Sequence, residues 1–126
     1  CSNELIDHKG LSYCTQFGFF SAVSNLKVPP DFVLTDAFKI KSYPSEKQLN
    51  IIKGDSKSLS IAAASIIGKV YRDELIQTMC DKYPELENYD MRKNVGYGTK
   101  KHLEGIRTFG PHQLHRKSFA PLDLGF

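Results

Sequence analysis

The sequence predicts an α/β fold, and three observations carry that expectation. Two short apolar runs each end on an aspartate, helix-like stretches alternate with these runs, and prolines or glycines punctuate the junctions. The first run, Phe32-Val33-Leu34-Thr35, delivers Asp36 at its end. The second, from about Leu49 to Lys53, contains the β-branched pair Ile51-Ile52 and delivers Asp55 nineteen positions further on. Gly54 stands between, where it is expected to free the backbone for a sharp turn. In open α/β folds ligands gather at such strand ends.

Each element follows from local signals. A helix start is expected at Ser2, with Asn3 and Glu4 in its first turn, and a longer helix from about Leu11 to Leu26, with Phe17, Phe20 and Leu26 looking inward. Pro29-Pro30 ends that helix and hands over to the first strand. Pro44, Ser45 and Glu46 mark the connection to the second strand. The main helix is expected from about Ser60 to Lys82, with an apolar stripe at Ala63, Ile66 or Ile67, and Val70. Ser58 and Ser60 can accept its orphan amide hydrogens. It stops near Tyr83-Pro84, because the residue before a proline is disfavoured in helix. A last helix, capped by Thr99, runs to Phe109 and is ended by Gly110-Pro111.

Length and composition narrow the function classes. A chain of 126 residues makes one modest domain, able to bury about two thirds of its unfolded surface. It is 40% hydrophobic and 25% charged, and no apolar run approaches the ~20 residues of a membrane span, so no membrane partner is expected. The three cysteines are odd in number and form no CxxC pair, which supports neither a disulfide framework nor a zinc site. A cytoplasmic location is expected. The net charge of +3 is unevenly spread: residues 91–126 hold seven Lys or Arg against two acids, whereas residues 1–90 hold ten against twelve. A basic segment of this kind attracts a polyanion.

The chemistry centres on Asp36 and Asp55. Two carboxylates at neighbouring strand ends repel unless a cation lies between them, and hard divalent ions such as Mg²⁺ favour such oxygen ligands. That points to metal-dependent phosphoryl transfer; the plainer reading is that Asp36 starts a turn and Asp55 caps a helix. Lys53, two residues from Asp55, can hold a phosphate as a point charge or simply balance the carboxylates. Ser65, Lys69 and Arg72 lie at helical spacing away from the apolar stripe, as phosphate contacts or as a solvated face. Tyr97, flanked by Gly96 and Gly98, has a stacking face and a hydroxyl suited to sensing a 2′-OH, or is a tyrosine packed under a turn. His112 and His115 have no cysteine nearby and read as satisfying local hydrogen bonds rather than binding zinc.

The segment IIKGDSKSLSIAAASIIGKVYRDEL resembles the ribonuclease HII family, as do FVLTDA, GYGTKKHLEGIRTFGP and HRKSFAP, in the family's order and approximate spacing. The resemblance implies a ribonuclease H-like α/β fold. It also implies an endoribonuclease that hydrolyses the RNA strand of RNA/DNA hybrids and nicks 5′ of ribonucleotides embedded in duplex DNA, using two Mg²⁺ or Mn²⁺ ions. Asp36 and Asp55 match the family's third and fourth active-site carboxylates, and Tyr97 its tyrosine at the RNA–DNA junction. His115, Arg116, Lys117 and Ser118 match its closing block, where the basic residues contact backbone phosphates. The first two carboxylates, an Asp-Glu pair in a GxDEAGRG block, have no counterpart; Asp73-Glu74 falls inside the main helix. Asn94-Val95 stands where many members have His-Lys, which removes that lysine's phosphate contact.

On this resemblance the chain is expected to be the C-terminal part of a ribonuclease HII, a single truncated domain without the first antiparallel strands. Residues 1–90 would form the α/β core part and residues 91–126 a basic C-terminal substrate-binding segment. Alone it is expected to cleave weakly or not at all, and an exposed sheet edge is expected to invite self-association. Two other readings stay open: a non-catalytic nucleic-acid-binding remnant, and a structural or oligomerising fragment.

Overall fold

A computed structural model of the chain describes residues 1–120 and 122. They fall into two compact units, Cys1–Ile67 and Gly68–Phe126, and the expected α/β class is borne out.

The first unit begins with helix α1 (Asn3–Lys9) and helix α2 (Leu11–Ser24). Ser2 caps α1 as expected, its hydroxyl accepting from the Leu5 N–H at 3.3 Å. Gly10 joins the two helices at φ +81° and donates its N–H to the Ile6 carbonyl, a conformation that suits glycine. Helix α2 stops at Ser24, two residues short of the expected Leu26. Its inward face is also a correction. Phe17, Phe20 and Leu26 are 50%, 45% and 52% exposed, and Cys14 is the buried residue of α2. Apolar residues occupy every side of this helix, so periodicity does not single out the side that finds a partner.

Strands β1 (Val33–Asp36) and β2 (Gln48–Ile51) form a two-stranded parallel sheet in which Val33 pairs with Gln48 and Asp36 with Ile51. The segment between them is held by glutamine side chains that mimic a neighbouring strand. Gln48, 5% exposed, accepts from the Ile40 N–H and donates to the Ile40 and Tyr43 carbonyls; Gln16 of α2 donates to the Lys39 carbonyl and accepts from the Lys41 N–H. Main-chain groups that cannot reach a sheet are thereby satisfied. Leu34 and Leu49 stay 39% and 50% exposed, although parallel sheets are ordinarily covered on both faces.

Helix α3 (Leu59–Lys82) starts one residue before the expected Ser60, with the Ser58 carbonyl accepting from the Ala62 N–H, and ends at the expected Tyr83-Pro84. Its apolar stripe is a second correction: Ile66, Ile67 and Val70 are 65%, 70% and 52% exposed. Helical spacing places these residues on one face but does not supply the element that covers it.

In the second unit, a 3₁₀ segment (Pro84–Tyr89), the short helix α4 (Met91–Asn94) and helix α5 (Lys100–Phe109) follow. Cys80, Leu86, Tyr89 and Ile106 make the core of this unit, with Ile76, Met79, Tyr83, Met91, Leu114 and Leu122 packed on it. Gly105 of α5 lies against the 3₁₀ segment so closely that an added Cβ would stand 2.3 Å from the Asn88 carbonyl oxygen. Arg92 ties the 3₁₀ segment to α3 by ion pairs to Glu87 (2.6 Å) and Asp81 (2.9 Å). Among the described residues no helix is long and apolar enough to cross a membrane, and Cys1, Cys14 and Cys80 are free thiols.

Candidate functional site

The parallel pairing of β1 and β2 brings Asp36 and Asp55 to one edge of the first unit, because the carboxyl ends of parallel strands point the same way. Asp36 is the last residue of β1, and its Oδ1 accepts from the Gly54 N–H at 2.8 Å. Asp55 follows directly in the 3₁₀ turn Gly54–Ser56. Both carboxylates are exposed.

Two left-handed residues shape this edge. Ala37 (φ 60°) sits in a tight turn closed by the Phe38 N–H to the Asp36 carbonyl at 2.7 Å. Thr35 donates its hydroxyl to the Phe38 carbonyl, and the Asn50 amide donates to that of Ala37. The second is Lys53, at φ 56°. Left-handed backbone in residues other than glycine costs roughly 1–2 kcal/mol each, and such strain gathers at functional sites. The expectation for Gly54 is therefore corrected. Lys53 takes the unusual φ, and Gly54 is needed for space: a Cβ there would lie 2.7 Å from Ile61 Cδ1 and 3.4 Å from Asp36 Oδ1.

The donor set suits a hard divalent cation. Both groups are carboxylates, and among the described residues neither stands in an ion pair. Two carboxylates supply only part of such an ion's six or so ligands, and among the described residues no group of three potential metal ligands occurs. Lys53 is exposed at the same edge.

In the second unit the Gly96-Tyr97-Gly98 loop follows α4. Tyr97 is 60% exposed, so its ring is not packed under the turn. The backbone enters the loop through Val95 at φ 43° and Gly96 at φ +84°. Asn94 holds it from beneath. This residue, 6% exposed, donates to the Tyr89 carbonyl at 2.7 Å and accepts from the Gly96 N–H at 2.9 Å. Thr99 caps α5 as expected, accepting from the His102 N–H at 3.3 Å. Arg72 reaches from α3 to the Val95 carbonyl at 2.6 Å and lies 5.2 Å from the Tyr97 ring centre. Lys69 is exposed on the same helix.

The closing block divides. His115 is buried: its Nδ1 donates to the His112 carbonyl at 3.2 Å, and its Nε2 meets His102 Nε2 at 3.2 Å. His102 in turn meets Asn94 Oδ1 through its Nδ1 at 3.4 Å. Burial lowers the pKa of each ring below the usual histidine value, and for His115 the proximity of His102 adds to it. His112 meets Glu85 at 3.2 Å, in keeping with a local hydrogen-bonding role. Arg116, Lys117 and Ser118 are exposed, and the Arg116 guanidinium lies 3.7 Å from the Phe119 ring centre.

Asn94 and His102 carry weight that residue type alone did not signal. The one available clue was an Asn two residues before a Gly, the spacing at which an Asn side chain closes a turn on its own backbone.

The family model for ribonuclease HII matches residues 2–122. The chain is 46% identical over 119 residues to ribonuclease HII of Clostridium perfringens (strain SM101 / Type A), covering 94% of this chain and 42% of that protein. It is 47% identical over 118 residues to that of Clostridium beijerinckii, with 94% and 42% covered. Against ribonuclease HII of Listeria monocytogenes serotype 4a the identity is 48% over 120 residues, with 95% and 44% covered. The chain thus spans less than half the length of the curated relatives it matches. A small parallel sheet with C-terminal helices is consistent with a truncated ribonuclease H-like α/β fold. From the match across almost its whole length, the chain belongs to the ribonuclease HII family of enzymes.

Proposed function

We propose that this chain carries part of the active site and part of the substrate-binding surface of an endoribonuclease. That enzyme hydrolyses the RNA strand of RNA/DNA hybrids and nicks 5′ of ribonucleotides embedded in duplex DNA. The observation that carries the reading is the Gly54 N–H bond to Asp36 Oδ1, which ties the two carboxylate-bearing turns together at one sheet edge. Asp36 and Asp55 would each contribute oxygen ligands to Mg²⁺ or Mn²⁺, together with carboxylates that the family's Asp-Glu pair supplies. When bound, the ions supply activation of water and stabilisation of the leaving oxygen.

The products follow from the bond changes. A water oxygen bonds to phosphorus and the P–O3′ bond breaks, leaving a 5′-phosphate and a 3′-hydroxyl. Lys53, exposed at the same edge, would hold a phosphate beside the carboxylates. The exposed Tyr97 offers its ring to a sugar and its hydroxyl to a 2′-OH. Lys69, Arg116, Lys117 and Ser118 contact the phosphate backbone as exposed side chains, and buried His115 anchors the start of the closing block through the His112 carbonyl and His102. In this reading the chain is one domain fragment, residues 1–90 its α/β core part and 91–126 its basic substrate-binding segment. Its setting is the cytoplasm.

Two measurements test this. Titration with Mn²⁺ is expected to show weak binding that Asp36→Asn or Asp55→Asn removes; binding indifferent to both substitutions refutes the metal assignment. Incubation of the chain with Mg²⁺ and a DNA duplex containing one ribonucleotide is expected to give little or no nicking. Robust nicking would show that two carboxylates suffice.

A further inference from the structure

Arg72 has the charge of a phosphate contact, yet its geometry serves another purpose. One terminal nitrogen donates to the Val95 carbonyl at 2.6 Å, and the other to Asp73 Oδ1 at 3.1 Å. The guanidinium carbon lies over the Tyr97 ring, 5.2 Å from its centre. Both terminal nitrogens are engaged, Asp73 offsets the charge, and the guanidinium carbon lies within cation–π range of an aromatic ring.

The carbonyl it holds belongs to an unusual residue. Val95 is β-branched and left-handed at φ 43°, and Gly96 follows at φ +84°. A β-branched side chain in that region is an outlier that persists only where its surroundings enforce it. Asn94 secures the Gly96 N–H on one side of this turn. Arg72 secures the Val95 carbonyl on the other, so the direction in which Tyr97 leaves the loop depends on both.

We propose that Arg72 is a positioning residue that sets the orientation of Tyr97, and through it the preference for a ribonucleotide over a deoxyribonucleotide. This rests on the reading of Tyr97 given above. Only a planar fork can bond the Val95 carbonyl and Asp73 while lying against the ring. A lysine keeps the charge and loses that combination.

The test compares affinity for a DNA duplex containing one ribonucleotide with affinity for the same all-DNA duplex. Tyr97→Ala is expected to lower this ratio by about tenfold, the scale of one lost stacking contact. Arg72→Ala and Arg72→Lys are expected to lower it by most of that factor, with no further loss in the Arg72→Ala/Tyr97→Ala double variant and an unchanged salt dependence on all-DNA duplex. Equal weakening toward both duplexes, a flatter salt dependence and rescue by lysine would instead identify Arg72 as a phosphate contact and overturn the proposal.

Tyrosine ring-proton NMR of the free chain separates this proposal from the reading it rests on. Both Arg72 variants are expected to shift the Tyr97 ring signals while those of core Tyr89 stay in place, which also shows that the variants fold. Unmoved Tyr97 signals overturn the positioning role. An unchanged affinity ratio in Tyr97→Ala removes the ribonucleotide-sensing role of Tyr97, and with it the specificity half of the proposal.

Discussion

Replacing Gly105 by alanine sets two effects of opposite sign against each other. Gly105 lies inside α5, where alanine is favoured over glycine by about 1 kcal/mol on helix propensity. Its added Cβ, however, would lie 2.3 Å from the Asn88 carbonyl oxygen, 3.0 Å from Tyr89 Cα and 3.1 Å from Asn88 C. All three are backbone atoms, so no rotamer change relieves the overlap, and α5 must move away from the 3₁₀ segment, whose Leu86 and Tyr89 pack with Ile106 of α5. Overpacking of this kind costs about 3 kcal/mol, at the upper end of its usual range. The net expectation for Gly105→Ala is a loss of about 2 kcal/mol after the propensity gain. Gly68→Ala is the control. It lies in α3, also within the second unit, with nothing within 4 Å of its added Cβ, so it is expected to gain about 1 kcal/mol. Urea unfolding followed by far-ultraviolet circular dichroism reads both as midpoint shifts at constant slope. Equal stabilisation by the two substitutions would refute the close approach of α5 to Asn88.

Lowering the pH is expected to destabilise the second unit between about pH 7 and 5. Burial holds the folded-state pKa values of His102 and His115 below the ordinary 6.5. The unfolded chain therefore binds more protons in that window, and stability falls as the pH drops by at most about 1.4 kcal/mol per pH unit for each ring. Glu85 acts in a separate range, since its lowered pKa is lost from stability only below the carboxylate value of 4.5; identical urea midpoints at pH 7.5 and 5.5 would contradict the histidine account. Asn94→Ala strands the Tyr89 carbonyl and the Gly96 N–H, so a loss of about 2 kcal/mol and faster hydrogen exchange at Gly96 are expected. Exchange at Gly96 unchanged from the parent would exclude Asn94 as the anchor of that loop. The exposed apolar residues of the sheet, Leu34 and Leu49, predict concentration-dependent self-association in sedimentation velocity, which Leu49→Lys should reduce; a monomer at every concentration would rule it out.

Much of this was legible locally. Ser2 and Thr99 cap helices where hydroxyls precede helical runs, Tyr83-Pro84 stops α3, and both strands carry their aspartates toward the same end. Such signals act within a few residues, so the chain displays them directly. What failed to read out depended on distant partners. Phe17, Phe20 and the Ile66, Ile67 and Val70 stripe have the spacing of core residues but remain exposed, because periodicity records a shared face and not whether another element covers it. The left-handed position fell on Lys53 and not on Gly54, because the nearness of Ile61 and Asp36 made space the limiting requirement at the glycine.

Residue types at short spacing carry the family, the order of the two strands and the longer helices, and the two aspartates beside the strand ends. Packing in three dimensions is what joins Asp36 to the Gly54-Asp55 turn by a hydrogen bond, buries His115 against His102 and sets Arg72 beside Tyr97. These contacts join residues 13 to 25 positions apart. Their energies depend on distance and direction in space, which the order of residues does not express.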